Sequence, residues 1–313
     1  MWDSQRIFIT GANGYIGRLL FERLAEVCPR VHGIDLNARD APAGVTQLDI
    51  RNPQLVDLLR DQKVTHVVHL ASIVQPGKDA AREYDIDVNG TRNVVEACLS
   101  ANVQHLTVTS SGAAYGYHAD NPEWLTESHA LRGNNEFRYS RHKRLVEEML
   151  AEYRQSHPQL AQLVLRPGTV LGNTPPNMIT RLFTGRFLLG LRNVRSPFVF
   201  IWDQDLINVL VQGVRESAVG QFNVAGDGCL EMQEISGIVG LPVVSPPVWL
   251  VKALLAIARP LRLTRFGPEQ VRFIQYRPVL SNERLKSVFG YSPQKSSREV
   301  LEYFVKTRAE GNG

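Results

Sequence analysis

The sequence is poor in cysteine and contains no long apolar run. Its three cysteines, Cys28, Cys98 and Cys229, lie far apart in the 313 residues, so neither a disulfide framework nor a Cys-x-x-Cys metal or redox site is available. The most apolar stretch, residues 248–258, is much shorter than the roughly 20 residues that a bilayer span needs. The N-terminal residues also lack a secretory apolar region, and we therefore expect a cytoplasmic protein.

Charge of one sign is not in excess. The 35 Lys+Arg residues against 31 Asp+Glu leave a formal net charge of +4, and the basic residues are interspersed with acidic ones, so no nucleic-acid surface is expected. The eight histidines show neither His-x-x-x-His nor His-Glu-x-x-His spacing, and we expect no metal site.

Short β-branched runs alternate with helical patterns through the first half of the chain. Residues 64–71 are an almost continuous apolar run, which is typical of a strand that helices cover on both faces. This alternation predicts parallel βαβ units. We expect an α/β protein in which residues 1–172 form a Rossmann-type, doubly wound parallel sheet. Residues 173–313 would form a smaller C-terminal substrate-binding lobe, made discontinuous because the segment at about 200–229 rejoins the sheet.

A glycine-rich turn, Gly11-Ala-Asn-Gly-Tyr-Ile-Gly17, follows the first predicted strand and opens the first predicted helix. Such a turn brings backbone N–H groups and a helix N-terminus onto a pyrophosphate. Asp35 ends the second strand, where a carboxylate accepts hydrogen bonds from the adenosine ribose and repels a 2′-phosphate. NAD is the expected cofactor, although Arg39 could permit NADP. Taken singly, the turn could be a plain βα connection and Asp35 a cap.

Tyr139 and Lys143 are four residues apart and share one face of a predicted helix. An ammonium group close to a phenol stabilises the phenolate and moves its pKa from near 10 toward neutrality, which allows proton transfer. The alternative is an exposed helical pair. The preceding strand ends in Thr109-Ser-Ser111, whose hydroxyls emerge at the carboxyl edge of the sheet, where doubly wound folds bind ligands.

With these features in place, the sequence resembles the extended branch of the short-chain dehydrogenase/reductase superfamily, the NAD-dependent epimerase/dehydratase group. The matching motifs are Thr10-Gly-Ala-Asn-Gly-Tyr-Ile-Gly17, Leu48-Asp-Ile50, His69-Leu-Ala-Ser72, Asp87-Val-Asn-Gly-Thr91, Ser110-Ser-Gly-Ala-Ala-Tyr-Gly116, Tyr139-Ser-Arg-His-Lys143 and Leu165-Arg-Pro-Gly-Thr-Val-Leu-Gly172. Asp87 stands where the group usually has asparagine.

The resemblance implies roles for individual residues. Ser111 would be the catalytic hydroxyl and Tyr139 the acid/base, while Lys143 would hold the nicotinamide ribose and lower the tyrosine pKa. The residues implied to contact NAD are Gly11, Asn13, Gly14, Tyr15, Ile16, Gly17, Asp35, Asp49, Ile50, Leu70, Ala71, Ser72, Thr109, Tyr139, Lys143 and Pro167.

Departures from the group's sequence patterns reduce the number of candidate reactions. Gly112 and Ala113 follow Ser111, where dehydratases of nucleotide sugars carry an Asp-Glu pair, so a 4,6-dehydratase is not expected. Phe198 and Trp202 stand where nucleotide-sugar epimerases usually have an arginine and a histidine. The loss of a phosphate-binding arginine beside two aromatic residues indicates an apolar substrate, which Gly112, Phe198 and Trp202 would contact.

Residues 246–265 form an apolar helical pattern that ends in three arginines. The segment resembles the corresponding region of 3β-hydroxysteroid dehydrogenase-like members, where an apolar helix lies near the substrate mouth and sometimes near a membrane surface. A helix that simply packs the small lobe is equally consistent. The resemblance further implies a homodimer through two helices per subunit, at about 87–101 and 139–155.

The sequence thus predicts an NAD-dependent oxidoreductase that interconverts a secondary alcohol and a ketone on a rather apolar small molecule. The alternative is a nucleotide-sugar 4-epimerase that holds its NAD tightly. A non-catalytic NAD-binding scaffold is a third possibility, which the presence of Ser111, Tyr139 and Lys143 disfavours.

Overall fold

The computed structural model describes residues 2, 4–74, 77–173, 180–261, 263–264 and 267–311 of the chain. Two of the three arginines that end the apolar segment, Arg262 and Arg265, lie outside these residues. The strands are β1 (Ile7–Thr10), β2 (Val31–Asp35), β3 (Val45–Gln47), β4 (His66–His69), β5 (His105–Thr109), β6 (Ala161–Pro167), β7 (Thr169–Leu171), β8 (Leu188–Leu189), β9 (Phe200–Trp202), β10 (Gly220–Val224) and β11 (Val243–Val244). The α-helices are α1 (Tyr15–Ala25), α2 (Leu55–Asp61), α3 (Ala80–Tyr84), α4 (Gly90–Ser100), α5 (Arg138–Ser156), α6 (Asp203–Glu216), α7 (Met232–Val239), α8 (Val248–Ala258), α9 (Val271–Gln275), α10 (Glu283–Ser287) and α11 (Ser297–Gly311).

Seven strands form one parallel sheet in the order β10-β6-β5-β4-β1-β2-β3. Ile7 of β1 is paired with Val31 on one side and with His66 on the other. The strand order therefore reverses between β1 and β4, and the carboxyl ends of these two strands border the crevice where such sheets bind ligands. This topology confirms the predicted α/β, Rossmann-type doubly wound fold.

The central strands are buried because helices cover both faces of the sheet. All four residues of β1 and of β4 are buried. One core lies between the sheet and helices α1 and α6, where Leu20, Phe21 and Leu210 pack together. The other lies under α2, α4 and α5 and includes Leu55, Val95 and Leu150. The sheet is thus fixed from both sides, and its carboxyl edge forms a stable platform.

Where the sequence predicts one helix at about 87–101, the structure has a π-helical turn followed by an α-helix. A π-helical turn, Asp85–Asn89, connects α3 to α4 without a break. The wider turn places Asp87 and Val88 inside the protein, where they are 4% and 3% exposed. Such turns are frequent at functional sites, and this one directs a carboxylate toward the carboxyl edge of the sheet.

A smaller lobe follows β6. Strands β7 and β9 form one parallel pair, and β8 and β11 form another. Its core contains a cluster of phenylalanine rings in which Phe198 and Phe200 are stacked at 5.5 Å and Phe183 contacts both edge-on. Among the described residues, no helix has both the length and the apolar character that crossing a bilayer requires.

Candidate functional site

The turn between β1 and α1 is built around glycine. Gly11 has a φ of +72°, and a Cβ atom there would lie 2.7 Å from the backbone nitrogen of Ala71, at the end of β4. At Gly17, a Cβ would lie 1.9 Å from the carbonyl oxygen of Gly11. Helix α1 begins at Tyr15, directly after this turn, and no side chain caps its N-terminus. A helix that starts at such a turn is suited to binding a pyrophosphate.

Asn13 ties this turn to the end of β2. Its backbone N–H donates to Asp35 Oδ2 at 3.0 Å, while its side chain donates to the carbonyl oxygens of Asn37 and Arg39. Asp35 Oδ1 accepts from the backbone N–H of Asn37 at 3.0 Å. The carboxylate is therefore held in place at the edge of the crevice, and its remaining lone pairs are available for ribose hydroxyls.

Asp49 and Ile50 follow β3 on the same side of the sheet. Arg51 donates to both carboxylate oxygens of Asp49, at 2.6 and 3.0 Å, and these bonds hold the pKa of Asp49 below its ordinary value. Arg51 also donates to Asp85 at 2.7 Å, in the π-helical turn. Ile50 is buried against Gly90. Asp49 and Ile50 are thus braced against the π-helical turn and α4, a role for Arg51 that the sequence reasoning missed.

Leu70, Ala71 and Ser72 continue β4 into the crevice. The Ser72 hydroxyl donates to Asp87 Oδ1 at 3.1 Å, and the Ile73 backbone N–H donates to the same oxygen at 2.8 Å. The other oxygen, Oδ2, lies 2.8 Å from His142 Nδ1 in a buried pair. Asp87 therefore orders the loop after β4 and connects it to α5.

Helix α5 places Tyr139 and Lys143 beside the end of β5. The Lys143 Nζ donates to the carbonyl oxygen of Thr109 at 3.0 Å and lies 5.6 Å from the centre of the Tyr139 ring. Lys143 is 8% exposed. Among the described residues, the Tyr139 hydroxyl has no hydrogen-bond partner, which leaves it available to a substrate.

Ser111, Gly112 and Pro167 complete the carboxyl edge. Ser111 caps a 3₁₀ turn, Gly112–Tyr115, and its hydroxyl oxygen accepts from the Ala113 backbone N–H at 3.1 Å. A Cβ at Gly112 would lie 2.8 Å from Leu280 Cδ1, so the small lobe packs closely over this turn. Pro167 ends β6 opposite Val224 of β10.

A small cavity of about 10 Å³, enough for one water molecule, lies behind the Lys143 ammonium group. Its walls include His69, Asp87, Thr91 and His142. His69 bonds to Thr10 and Thr91 hydroxyls at 2.7 and 2.9 Å. Burial and the neighbouring Lys143 charge lower the pKa of His69 to about 3, so this imidazole is neutral at physiological pH. The polar groups around Lys143 therefore include a neutral histidine and the Asp87 carboxylate.

A buried ion pair joins α5 to β6 next to the site, and the sequence reasoning missed it. Glu147 of α5 accepts three hydrogen bonds from Arg166 of β6, at 2.7 to 3.0 Å, and one from the Ser110 hydroxyl at 2.6 Å. Arg166 also donates to the Tyr115 hydroxyl at 2.7 Å, and Tyr115 donates to Asn223 of β10. The only sequence signal was the position of Arg166 within the Leu-Arg-Pro-Gly motif.

The residues predicted to contact substrate are separated by the fold. Phe198 lies under Arg277, whose guanidinium carbon is 3.8 Å from the ring centre. Trp202 instead packs against Tyr303 and Lys295, at 5.6 and 4.7 Å. Among the described residues, no contact joins Trp202 to Tyr139 or Lys143.

Arg277 lies next to the aromatic cluster that surrounds Tyr139. This cluster contains Tyr117, Phe137 and Phe273 and packs against Tyr139; the guanidinium of Arg277 is 5.8 Å from the Phe273 ring centre. Arg277 donates to Ser196 at 3.0 and 3.1 Å, and none of the described carboxylates pairs with it. Burial lowers its pKa to about 10. An arginine in this state is suited to an anionic group of a substrate.

The described residues fit a dinucleotide better than a metal ion. No group of three or more potential ligands, His, Cys, Asp or Glu, is close enough to hold a metal within the part of the chain that the structure describes. The Gly11 turn, where an added Cβ would meet backbone atoms, the uncapped N-terminus of α1 and the fixed Asp35 carboxylate together form a cradle for a pyrophosphate and a ribose.

Comparisons with known proteins agree with this geometry. The model of the NAD dependent epimerase/dehydratase family matches residues 7–220. The 2-alkyl-3-oxoalkanoate reductase of Shewanella oneidensis is 25% identical over 94% of this chain and 84% of its own. The N-acetyl-α-D-glucosaminyl-diphospho-ditrans,octacis-undecaprenol 4-epimerase of Escherichia coli O157:H7 is 28% identical over 59% of this chain and 56% of its own.

Among solved structures, the UDP-glucose 4-epimerase of Thermus thermophilus, in complex with NAD, superposes with a TM-score of 0.75 at 20% identity and covers 96% of this chain and 98% of that one. At this identity the likeness supports the fold. The family match covers more than half of the chain and confirms the resemblance found in the sequence. The protein is therefore a member of the NAD-dependent epimerase/dehydratase family, and it is an NAD-dependent enzyme.

Proposed function

We propose that the enzyme interconverts a secondary alcohol and a ketone on an apolar molecule that carries one anionic group, with NAD as the hydride carrier. The observation that supports this most directly is the placement of Lys143, whose Nζ is 3.0 Å from the Thr109 carbonyl oxygen and 5.6 Å from the Tyr139 ring centre. A fixed ammonium beside a phenol favours the phenolate and makes Tyr139 a usable acid/base at neutral pH.

In the oxidising direction, Tyr139 removes the hydroxyl proton of the substrate, and the Ser111 hydroxyl donates a hydrogen bond to the same oxygen. Lys143 stabilises the phenolate while the proton moves. In reduction, Tyr139 returns the proton to the carbonyl oxygen. When bound, NAD supplies the acceptor or donor of the hydride, and the protein supplies the orientation.

The residues that would hold NAD surround the crevice at the β1–β4 switch point. The Gly11 turn and the start of α1 would bind the pyrophosphate, Asp35 the adenosine ribose and Lys143 the nicotinamide ribose. The loop after β4 and the residues after β3 would contact the rest of the NAD molecule. These assignments comprise Gly11, Asn13, Gly14, Tyr15, Ile16, Gly17, Asp35, Asp49, Ile50, Leu70, Ala71, Ser72, Thr109, Tyr139, Lys143 and Pro167.

The substrate type follows from the surroundings of Tyr139. Aromatic rings pack around it, and Arg277, which lies next to these rings, pairs with none of the described carboxylates. A 2-alkyl-3-oxoalkanoate, the substrate type named for the Shewanella relative, combines a ketone, alkyl groups and one carboxylate. That relative matches 94% of this chain, including most of the substrate lobe. Phe198 is only 4% exposed in the core of the small lobe. Phe273, which is partly buried beside Tyr139, would contact the alkyl part, and Arg277 would bind the carboxylate.

A nucleotide-sugar 4-epimerase is the second candidate. It is favoured by the 28% identity to the undecaprenol-linked 4-epimerase, although that match covers only 59% of the chain. In this case Arg277 would bind a diphosphate, and the same tyrosine and lysine would oxidise and then re-reduce one substrate, without net formation of NADH.

Nucleotide exchange and product formation separate the two functions. The purified enzyme is analysed for bound nucleotide and then assayed with NADH and 2-alkyl-3-oxoalkanoates, and separately with UDP-sugars. Exchangeable NAD and consumption of NADH support the oxidoreductase, whereas retained NAD with sugar interconversion supports the epimerase. Tyr139→Phe is expected to lower kcat about 10²- to 10⁴-fold. Tyr153→Phe, on the same helix and bonded to Glu96, is the control and retains activity.

A further inference from the structure

The hydroxyl group of Tyr117 forms no hydrogen bond with any described residue, although the side chain is only 8% exposed. Buried phenol groups usually have a hydrogen-bond partner. Burial and the neighbouring Tyr139 raise the pKa of Tyr117 above its ordinary value, while the charge of Arg277 acts in the opposite direction. The hydroxyl group therefore stays protonated at physiological pH, and it is a hydrogen-bond donor for which the described residues provide no acceptor.

The backbone of Tyr117 is fixed beside the helix that carries Tyr139. The Tyr117 N–H donates to Asn134 Oδ1 at 2.7 Å, and the Asn134 N–H donates to the Ser140 hydroxyl at 3.1 Å. Ser140 directly follows Tyr139 in α5, and both tyrosine rings belong to the same aromatic cluster. These hydrogen bonds therefore hold the Tyr117 ring next to the proposed acid/base.

Phe273 lies between Tyr117 and Arg277. The centre of its ring is 5.0 Å from the centre of the Tyr117 ring and 5.8 Å from the guanidinium carbon of Arg277. Arg277 Nη1 donates to Ser196, whereas Arg277 Nε is buried and has no partner among the described residues. Two donors without acceptors, one of them cationic, are thus arranged around one aromatic ring. A bound anion would satisfy both donors.

We propose that Tyr117 is a specificity-determining residue whose hydroxyl group binds, together with Arg277, the carboxylate of the substrate. This assignment rests on the proposed oxidoreductase function and adds a second donor to the anion site. One carboxylate oxygen would accept from Tyr117 and the other from Arg277. Because Tyr117 adjoins Tyr139, the carboxylate would lie close to the reacting carbon. A 3-oxoalkanoate meets this requirement, since a single carbon atom separates its ketone from its carboxylate.

The test measures by calorimetry how octanoate and its uncharged methyl ester bind to the full chain saturated with NAD. Octanoate has an alkyl part and a carboxylate but no ketone, so its binding does not depend on which reaction the enzyme catalyses. Tyr117→Phe should weaken octanoate binding about 10- to 100-fold, the effect of one lost hydrogen bond to a charged group. Binding of methyl octanoate should stay unchanged. Arg277→Met should weaken octanoate binding at least as much as Tyr117→Phe does.

The control is Tyr153→Phe, which removes a hydroxyl group bonded to Glu96 on the outside of α5 and should leave octanoate binding unchanged. Tyr117→Phe should unfold in urea at the same midpoint as the wild type, because the lost hydroxyl group bonds to no described residue. A lower midpoint together with unchanged octanoate binding would assign Tyr117 a structural role and overturn the proposal.

Two further results would overturn it. One is a wild type that binds octanoate no more tightly than methyl octanoate. The other is tight binding of UDP that Arg277→Met weakens and Tyr117→Phe does not, since the site would then be built for a diphosphate. A failure of the proposed function has a different signature, because the enzyme would not consume NADH with 2-alkyl-3-oxoalkanoates while its selective binding of octanoate still depended on Tyr117.

Discussion

The contribution of the buried ion pair between Glu147 and Arg166 to the stability of the fold can be tested quantitatively. Both side chains are about 5% exposed, and Glu147 accepts hydrogen bonds from Arg166 and Ser110. Glu147→Gln keeps the shape but leaves the guanidinium charge buried without its counter-charge. Removing one partner of a buried pair costs about 3–5 kcal/mol, which is a large share of the roughly 5–15 kcal/mol that stabilises a typical domain.

Urea unfolding followed by circular dichroism measures this loss directly. The control is Glu148→Gln. Glu148 is the next residue of α5, is half exposed and lies 3.7 Å from Arg144. This substitution should lower the free energy of unfolding by less than about 1 kcal/mol. In a double-mutant cycle, adding Arg166→Met to Glu147→Gln should recover part of the stability, since no unpaired charge then remains buried. Equal, small losses for Glu147→Gln and Glu148→Gln would refute this account of the pair.

Three further predictions concern the glycine-rich turn, Asp35 and the buried histidines. Gly17→Ala should abolish NAD binding in a fluorescence titration, because its Cβ would overlap the Gly11 carbonyl, whereas Gly237→Ala, which meets no atom within 4 Å in α7, should preserve binding and stability. Asp35→Ala should weaken NAD binding about tenfold or more through lost ribose hydrogen bonds, and calorimetry with NAD would show no change if Asp35 were only a cap. Burial lowers the pKa values of His66 and His69 to about 4 and 3. The unfolded chain takes up these protons near pH 6.5 and the folded chain does not, so stability should fall by about 2 kcal/mol per histidine between pH 7 and pH 5. His69→Gln should flatten that decline in urea unfolding, and an unchanged slope would contradict it.

The sequence predicted those features whose geometry depends on residues close together in the chain. The Gly11 turn, the carboxylate of Asp35 at the end of β2 and the one-face spacing of Tyr139 and Lys143 all lie within single βα or helical units, where neighbouring residues determine the geometry. The doubly wound parallel sheet could also be predicted, since alternating strands and helices indicate parallel βαβ units.

Contacts between distant segments could not be predicted in this way. Glu147 and Arg166 come from a helix and a strand, and Asp87 reaches His142 only because a π-helical turn directs it inward. Arg277 lies over Phe198, although the two residues are far apart in the sequence of the small lobe. No local periodicity encodes such pairings, since each depends on the packing of whole elements.

The position of β10 in the sheet limits where the chain can be cut into fragments or joined to another protein. The chain leaves the large sheet after β6, builds β7, β8, β9 and α6, and only then returns to pair Gly220–Val224 alongside β6. Until that segment has been synthesised, the backbone N–H and C=O groups along one side of β6 have no partner, and an unpaired edge of this kind promotes aggregation. A fragment that stops at residue 172 would expose this edge permanently. Exchange of substrate lobes between relatives should therefore be designed as an insertion between β6 and β10 together with a new C-terminal segment, and not as a fusion at a single junction.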